Sequence, residues 1–462
     1  MFSFLLSTDW LPLIMNLNVL LGLIIITLLN SVVNSSVTIN RYDDNQTLPT
    51  YLNFIDNFGA RLSGSVRLEK AIDYMINLTV QQGTKDVTTE EVDVPHWVRG
   101  TESCLMTKPY KKEIAILGFG STVGTPPEGI TAQVIVIKSF EELDKVDEKD
   151  IKGKIVVFDH HFVNYGETVE YRTRGASKAA RKGAVATLVR SVTPFSMYTL
   201  HTGSQEYDQN VTRIPTAAIT LEDADLFRRL HDQHNEENAK KQPVVLNLKM
   251  DSTFDMKKSR NTIIDLKGKV KPEKLVIVSG HIDSWDVGSG AMDDGGGMMI
   301  SWFVPVILNK LHLKPKRTVR AILWTAEEPG LIGAQAYLKQ HINELDNINF
   351  IMESDEGTFK PTGLDVAGTF EARCIIREIL KLFSPIDKMT NSGSPGSDIT
   401  LFVSKGVPGA SLLNKNERYF WYHHSPADTM NIQSMSDVVE CAAFWAAVSY
   451  VIADLSIDLP RT

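Results

Sequence analysis

Five short stretches of the sequence contain side chains that readily bind divalent metal ions, and most of them follow an apolar segment that reads as a strand. The candidate residues are His281 and Asp283 in 278–284, Asp293 in 290–297, Glu327 and Glu328 in 323–330, Asp355 in 351–357, and His423 and His424 in 422–429. Imidazole nitrogens mixed with carboxylate oxygens suit zinc, whereas ligand sets made only of oxygen suit magnesium or calcium. These residue types therefore predict a zinc site that is assembled from distant loops.

The adjacent acids Glu327 and Glu328 are predicted to have two different roles, one as a metal ligand and one as a base. Two like charges side by side are unfavourable in a dry pocket unless a cation pairs with them. Because neighbouring side chains point in different directions, the pair suits one ligand and one base. We expect Glu328 to bind zinc and Glu327 to accept the proton of a water molecule. A solvated acidic turn is the alternative, but it fits poorly with the apolar strand before it.

The remaining acids take their predicted roles from their positions. Asp293 lies at the glycine-rich start of an apolar helix and could bridge two metal ions, with one oxygen for each. Asp283 lies two residues after His281 and could accept the second N–H of that imidazole, which would fix its tautomer. Asp355 ends another predicted strand and is a further candidate ligand.

Taken singly, these residues have ordinary explanations. A lone His281 is most simply a loop histidine, and Asp293 is most simply a helix N-cap. Chemistry alone does not distinguish His423 from His424. Charge supports the set as a whole, because three carboxylates and one bridging hydroxide neutralise the four positive charges of two Zn²⁺, and a neutral cluster is the easiest to bury. We therefore expect two zinc ions per chain, roughly 3.5–4 Å apart, that activate water and polarise a carbonyl.

Composition excludes other classes of function. The chain has 462 residues, a formal net charge of −8 and no basic stripe, which indicates that it does not bind nucleic acid. Three cysteines, Cys104, Cys374 and Cys441, are too few and too scattered for a disulfide scaffold or a cysteine zinc site. We expect them to be buried, structural thiols.

The N-terminus predicts entry into the secretory route. Residues 19–29 form an uncharged apolar run followed by small polar residues, which is typical of a signal peptide and shorter than a membrane span. We assign residues 1–36 to a signal peptide, with a signal anchor as the alternative, and expect no stable membrane span after its removal. Four sequons make Asn34, Asn45, Asn77 and Asn210 candidate glycosylation sites.

The rest of the chain divides into three regions. Residues 48–100 begin with apolar residues at helical spacing and are predicted to be the N-terminal helical part of the main domain. Residues 101–255 contain short strands and two helices, which predicts an inserted module that is either small α/β or β-rich. Residues 256–462 alternate strands and helices. This alternation predicts an α/β three-layer sandwich with a central, mainly parallel mixed sheet, and a site beyond the carboxyl ends of its strands.

In this order, the five stretches resemble the M28 family of co-catalytic zinc peptidases. The motifs GHIDS, DDGGG, AEEPGLIG, ESD and HHSPADT carry the resemblance, which covers about residues 260–455. The resemblance implies a set of zinc ligands with Glu327 as the general base, and we count Asp283 with Glu327 as catalytic through its predicted contact with His281. Those implied ligands are His281, Asp293, Glu328, Asp355 and His424. His424 is favoured over His423 by its H-x-x-x-D spacing to Asp428. Pro329 departs from the polar residue that often follows the glutamate pair in the family, but it removes no ligand.

A second resemblance concerns the insertion. Residues 152–230 are similar to a protease-associated domain, a common insertion in this family, through IKGKIVVF, RGASKAARKGAVATLVRS and IPTAAITLEDADLF. Together with the N-terminal helices and residues 392–398, the insertion resembles a subgroup of M28 enzymes that hydrolyse dipeptides. That likeness implies a pro-segment, placed here at residues 37–47, secretion or lysosomal delivery, and a homodimer. It also implies the substrate-binding residues Ser394, Gly396, Ser397, Asp398 and His423.

The predicted function is therefore the hydrolysis of small peptides, by a di-zinc exopeptidase acting on dipeptides with free termini. An aminopeptidase of the same family is the nearest alternative. A non-catalytic, receptor-like ectodomain would have lost ligands, so the complete set disfavours it. Glutaminyl cyclisation on a related single-zinc site is disfavoured by the acid pair Glu327 and Glu328.

Overall fold

The structure is a computed structural model, and it describes residues 48–236, 241–393 and 395–461. The predicted signal peptide and pro-segment, the sequons at Asn34 and Asn45, and the predicted substrate residue Ser394 lie outside the described residues. Of the other two sequons, Asn77 is exposed on a helix and Asn210 is exposed in a turn. Glycosylation at these sites stays a prediction.

Two helices begin the described chain, α1 (Leu48–Phe58) and α2 (Val66–Gln81). Ser65 caps α2, because its hydroxyl accepts the backbone N–H of Leu68 in the first turn, where no helical carbonyl is available. The apolar faces of both helices pack into the main hydrophobic core. Both predicted helices are present, but the region 48–100 that was predicted as helical also contains the start of a strand at Val87.

The middle of the chain contains strands and helices in turn. They are β1 (Val87–Lys108), β2 (Lys112–Ile114), β3 (Ile116–Gly118), β4 (Ile130–Ile137), α3 (Phe140–Lys145), α4 (Glu148–Ile151), β5 (Ile155–Phe158), α5 (Tyr165–Arg181), β6 (Ala186–Arg190), β7 (Thr216–Ile219), α6 (Leu221–Asn235) and β8 (Val245–Leu266). Strands β4, β5, β6 and β7 are parallel neighbours, and β3 adds antiparallel to β7. The region 101–255 therefore contains a small α/β unit, and its assignment to a protease-associated domain stays a prediction.

The C-terminal region alternates strands and helices as predicted. Its elements are β9 (Lys271–His281), α7 (Gly296–Lys310), β10 (Arg317–Trp324), α8 (Ile332–Gln340), β11 (Ile348–Glu353), β12 (Pro361–Ala367), α9 (Phe370–Leu380), β13 (Lys388–Thr390), α10 (Thr400–Val403), β14 (Gly409–Asn414), α11 (Tyr419–Tyr422) and α12 (Met435–Asp454). Its strands lie in the order β13-β12-β14-β11-β9-β10-β8. The run from β14 to β10 is parallel, whereas β12 joins β14, and β8 joins β10, in antiparallel fashion. The predicted mixed, mainly parallel sheet is confirmed.

Side chains of the central strand β9 show why the fold has three layers. Successive strand residues point to opposite faces of a sheet. Val276 and Val278 therefore enter the core that α7 and α12 cover, whereas Leu275 and Ile277 enter a second core that α8 covers. A strand that is apolar on both faces needs helices on both, and this requirement produces the sandwich.

A long antiparallel ribbon, formed by β1 and β8, is the main element that the sequence pattern does not reveal. The two strands pair from Val87 with Ile264 to Lys108 with Val245. Near residue 265 strand β8 also pairs with β10, and near residue 247 it pairs with β4, so the ribbon joins the two sheets. On β8 the middle of the ribbon, residues 253–258, is exposed on both faces, although it includes the apolar side chains of Phe254 and Met256. Both strands run without a break through the predicted domain boundaries at 100 and 255.

Helix α12 crosses the main core and carries one of the three cysteines. By length and composition it could cross a membrane, alone among the described helices, but 67% of its most apolar window is buried inside the structure. Packing in the core therefore accounts for its apolar character. Cys441 on this helix and Cys104 on β1 are buried, as predicted, whereas Cys374 is half-buried, and all three are free thiols.

The parallel strands also position the predicted site. Strand β9 ends at His281, β10 ends just before Glu327 and Glu328, and β11 ends just before Asp355. These three strands are parallel neighbours in the sheet. Since the carboxyl ends of parallel strands meet at one edge of a sheet, the side chains that follow them must lie close together.

Candidate metal centre

His281 is the fully buried centre of one group of candidate ligands. Its Nε2 lies 3.2 Å from Oδ1 of Asp293 and 3.1 Å from Oδ1 of Asp355. Its Nδ1 lies 3.0 Å from the backbone carbonyl oxygen of Asp283. Because a carbonyl oxygen only accepts, Nδ1 must donate, and in the neutral imidazole, the form that binds a metal, the Nε2 lone pair then faces the two carboxylates.

His424 repeats this arrangement on the other side of Asp293. Its Nε2 lies 3.2 Å from Oδ2 of Asp293 and 3.0 Å from Oε2 of Glu328. Its Nδ1 lies 3.2 Å from the carbonyl oxygen of Thr202, so this imidazole also presents its Nε2 lone pair to carboxylates. The backbone of His424 has a φ of 57°, a left-handed conformation that a non-glycine residue rarely adopts outside strained functional loops.

Asp293 therefore lies between two imidazoles, with one carboxylate oxygen facing each. A second acid fixes its backbone: Asp428 accepts the N–H of Met292 at 2.7 Å and the N–H of Asp293 at 3.2 Å. Burial, together with the charge of Asp293, raises the pKa of Asp428 to about 7. The bridging position that the sequence suggested for Asp293 is thus present in the geometry.

The electrostatics of the cluster favour positive charge at its centre. Burial alone would lower the pKa values of His281 and His424, but the facing carboxylates raise both well above the usual value. Oδ2 of Asp293 and Oε1 of Glu328 are buried and accept no hydrogen bond from the described residues. Buried carboxylates are stabilised by positive charge, either on the imidazoles themselves or on a bound metal ion, and nitrogen and oxygen donors of this kind fit zinc.

Glu327 lies beside this cluster. Its Oε2 is 4.0 Å from Nε2 of His281, farther than the oxygens of Asp293 and Asp355. Burial raises its pKa well above the usual value, and the nearby Asp355 and Glu328 carboxylates raise it further. A buried carboxyl of perturbed pKa that borders the ligands without joining them is a candidate for proton transfer.

The carboxylate of Asp283 has a different contact from the one its spacing predicts. It lies 3.6 Å from Nδ1 of His281, too far for a strong hydrogen bond, and the backbone carbonyl of the same residue takes that place. The carboxylate instead accepts the backbone N–H groups of Glu327 at 3.0 Å and Glu328 at 3.3 Å. Asp283 thus positions the turn that carries the acid pair.

The predicted substrate residues differ in their contacts and in their burial. Ser397 donates its hydroxyl to Oδ2 of Asp355 at 2.6 Å, so it supports a candidate ligand directly. Asp398 is fully buried, and burial beside Glu353 raises its pKa well above the usual value. Gly396 has a φ of 70°, and an added Cβ would lie 2.4 Å from Oε2 of Glu353, so only glycine fits there.

His423 lies at the edge of the cluster rather than in its centre. Its ring stacks on the ring of His424 with centroids 3.5 Å apart, and its Nε2 is 3.5 Å from Oδ2 of Asp293. His424 is nearer to Asp293 and alone of the two contacts Glu328. The geometry therefore favours His424 as the ligand, in line with the resemblance, and places His423 at the rim.

Three buried residues that shape the site escape prediction from the sequence. Asp428 enters there only through its spacing to His424, and Asp294 only as the neighbour of Asp293, although it accepts the backbone N–H of His281 at 3.0 Å. Arg61 gives no signal at all. Its guanidinium donates to carbonyl oxygens of the loop between β9 and α7, namely those of Ile282, Ser289 and Gly290. These partners are more than 220 residues away in sequence, which is why no local pattern reveals them.

Comparisons with known proteins agree with this geometry. The sequence model of peptidase family M28 matches residues 261–449. Carboxypeptidase Q from Homo sapiens is 48% identical over 410 residues, which cover 88% of this chain and 85% of that protein. Carboxypeptidase Q from Xenopus laevis is also 48% identical, over 88% of this chain and 86% of that protein.

Two solved structures share the fold. A peptidase M28 precursor from Shewanella amazonensis SB2B has a TM-score of 0.85 at 31% identity, and the alignment covers 90% of this chain and 95% of that one. BSAP, a zinc aminopeptidase from Bacillus subtilis, has a TM-score of 0.66 at 18% identity, covering 90% and 98%. The fold and the cluster together define a zinc metallopeptidase, a hydrolase of peptide substrates. The chain belongs to peptidase family M28, as the motifs predicted.

Proposed function

We propose that this chain is a co-catalytic di-zinc exopeptidase that hydrolyses small peptides, with dipeptides carrying free termini as its substrates. One observation carries the proposal: the two oxygens of Asp293 face two different imidazoles, Oδ1 at 3.2 Å from His281 and Oδ2 at 3.2 Å from His424. A carboxylate in this position can bridge two metal ions. His281 and Asp355 would complete one site, and His424 and Glu328 would complete the other.

Zinc bound at such a cluster supplies Lewis acidity, which polarises the scissile carbonyl and acidifies the attacking water. The protein supplies proton transfer and orientation. Glu327 takes the proton of the water as it attacks, and then donates it to the leaving amine. Asp283 keeps Glu327 in place by accepting its backbone N–H, so the base stays beside the ligands without joining them.

Replacing the base tests the mechanism. Glu327→Gln keeps the shape of the side chain but cannot accept a proton, so we expect turnover to fall by at least about 10²-fold while zinc remains bound. The exposed Glu371→Gln is the matched control. Kinetic assay together with metal analysis of the same samples gives the answer, and normal turnover in Glu327→Gln would remove the residue from its role.

The substrate class is tested with a panel of dipeptides, each also prepared with its amino or its carboxyl terminus blocked. Loss of hydrolysis with either block supports a dipeptidase. Tolerance of a blocked carboxyl terminus would instead indicate an aminopeptidase. The names of the carboxypeptidase Q relatives support an enzyme that needs the free carboxyl end.

We also propose secretory or lysosomal delivery and a homodimer. The apolar run at residues 19–29 and the exposed sequons at Asn77 and Asn210 support the secretory route. Expression in animal cells with glycosidase treatment tests it, since a mobility shift is expected for the secreted chain. Sedimentation of the purified protein tests the dimer against its 51.5 kDa monomer mass.

A further inference from the structure

We propose that Arg172, a buried arginine on helix α5 of the insertion, is a positioning residue for the candidate zinc ligand His424. The inference rests on the proposed metal site and adds to it a part of the chain outside the main domain. It makes the insertion a component of the metal centre. Residues 201–204, which connect Arg172 to His424, form what we name the support segment.

The support segment and His424 contact each other twice through backbone atoms of Thr202. The Thr202 carbonyl oxygen lies 3.2 Å from Nδ1 of His424, and the Thr202 N–H donates to the His424 carbonyl at 2.9 Å. The first contact fixes the tautomer and the ring plane of the imidazole, and the second fixes its backbone. An imidazole held in this way presents Nε2 to the metal in one orientation.

Arg172 in turn holds the support segment. Its Nη1 donates to the same Thr202 carbonyl at 3.1 Å, and its Nε donates to the Ser204 carbonyl at 3.2 Å. Its Nη2 donates to the hydroxyl of Tyr165 at 2.8 Å. The side chain is 5% exposed, and no carboxylate pairs with it in the part of the chain that the structure describes. Carbonyl oxygens therefore provide most of its stabilisation, and the guanidinium fork fixes both of them at once.

The backbone of the support segment lies close to the Arg172 guanidinium at Gly203. Gly203 has a φ of 139°, and an added Cβ would lie 2.2 Å from Cζ of Arg172. Gly203 thus lets the backbone pass directly over the guanidinium plane. This close contact places the guanidinium against the backbone of the support segment, between the two carbonyl oxygens that it binds.

Other contacts join the segment that carries His424, residues 420–424, to the insertion. Nδ1 of His201 lies 2.6 Å from the carbonyl oxygen of His423, and Thr193 donates its hydroxyl to the Phe420 carbonyl at 2.7 Å. Ser204 donates its hydroxyl to the carbonyl of the second candidate ligand, Glu328, at 2.8 Å. Both His424 and Glu328 are therefore oriented from the insertion, and the ligand His281 is not.

The consequence is a difference between the two proposed zinc ions. The ion bound by His424 and Glu328 depends on the insertion, whereas the ion bound by His281 and Asp355 does not. Loss of the Arg172 guanidinium should loosen the support segment and weaken only the first ion. Contacts behind metal ligands typically change metal affinity by about 10- to 100-fold.

The test is a chelator titration of the zinc-loaded full-length chain, with zinc per chain measured by mass spectrometry at each chelator concentration. We expect wild type to release its two ions together or in sequence at high chelator. Arg172→Gln should release one ion at roughly 10- to 100-fold lower free-chelator strength and keep the other at the wild-type value. Arg174→Gln, an exposed arginine on the same helix, is the matched control and should match wild type.

Two more variants separate positioning from general stability. Arg172→Lys keeps the charge without the fork, so its affinity should fall between wild type and Arg172→Gln. Ser204→Ala removes only the hydroxyl that contacts Glu328 and should weaken the same ion by a smaller factor, with unchanged unfolding of the zinc-free chain. It decides the question if Arg172→Gln does not fold.

The outcomes are distinct. Unchanged affinity for both ions in Arg172→Gln and Ser204→Ala, or an equal loss of both ions, would overturn this inference and leave the proposed function intact. A wild-type chain that binds fewer than two zinc ions would overturn the two-metal proposal itself. Selective loss of one ion in the variants supports the assignment of Arg172.

Discussion

The two halves of the candidate metal centre are oriented in different ways. The His281 half comprises His281 and Asp355, and its supporting contacts come from Asp283, two residues away, and Ser397 in the same domain. The His424 half comprises His424 and Glu328. Its supporting contacts come from the support segment of the insertion, where Thr202 is 222 residues from His424 in sequence.

This difference shows how one cluster can have two structural origins. Strand ends of a parallel sheet fix the His281 half locally, because β9 and β11 are neighbours. In the His424 half, Glu328 also follows a strand end, that of β10, but His424 lies on a loop, and a loop needs support from whatever packs against it. Here Thr202 of the insertion contacts His424, so we expect packing of the insertion to affect metal binding mainly on the His424 side.

The largest effect is expected where the halves meet. Asp293→Asn removes one negative charge and leaves only one oxygen to face the two imidazoles, so both ions should bind weakly and kcat/KM should fall by about 10³-fold or more. Metal analysis and kinetics measure this. Asp387→Asn, on the surface, is the control. Retention of two tightly bound ions would show that the halves do not share this carboxylate.

A pH effect should reveal the buried acid behind the His281 half. Glu353 accepts the N–H of Ser397 at 2.7 Å, and burial, then the charge of Asp355, raises its pKa to about 7. Below about pH 4 this carboxyl is protonated in both folded and unfolded chains, so its contribution to stability is fully present. As the pH rises through about 7 that contribution is lost, up to about 3 kcal/mol.

Denaturant unfolding of the zinc-free chain between about pH 4 and pH 8 measures this loss. In Glu353→Gln the side chain does not titrate, so stability should fall less steeply with rising pH than in wild type. Glu371→Gln should behave as wild type. Identical slopes for wild type and Glu353→Gln would assign the pH dependence to other acids, such as Asp428.

A smaller effect is expected at the link between the halves. The Asp283 carboxylate accepts the N–H groups of Glu327 and Glu328, so Asp283→Asn replaces one acceptor by a donor and should disturb the base and the His424 half together. We expect kcat to fall by roughly 10- to 100-fold with less change in KM. Steady-state kinetics distinguish this from the reverse pattern, which would place Asp283 in substrate binding.

The smallest effect completes the comparison. Ser397→Ala removes the hydroxyl that donates to Asp355, so it should weaken only the ion of the His281 half, by about tenfold. Ser204→Ala in the insertion is the corresponding substitution for the His424 half. Chelator titration of the two variants side by side should show opposite ions lost first. Loss of the same ion in both would mean that the halves are not independent.

Much of this architecture is determined by local sequence. The strands β9, β10 and β11 are apolar on both faces, which dictates a parallel sheet with helices on each side. The acids and the histidine that follow these strands must then lie at one edge of the sheet. That His281, the pair Glu327 and Glu328, and Asp355 share this edge can therefore be predicted from residue type and position along the chain, whereas their roles as ligands and base came from the family resemblance.

Tertiary structure decided what depends on contacts between distant segments. The ribbon of β1 and β8 pairs residues that are far apart in sequence, and residues 253–258 of β8 are exposed on both faces, so no local pattern reveals the pairing. Arg172, Thr202 and Arg61 act through backbone carbonyls, and any residue has such a carbonyl, so sequence gives no sign of which one is contacted. The physical reason is the same in each case. The sequence specifies the chemical type of each side chain, whereas the orientation of a ligand depends on the residues that surround it in the folded chain.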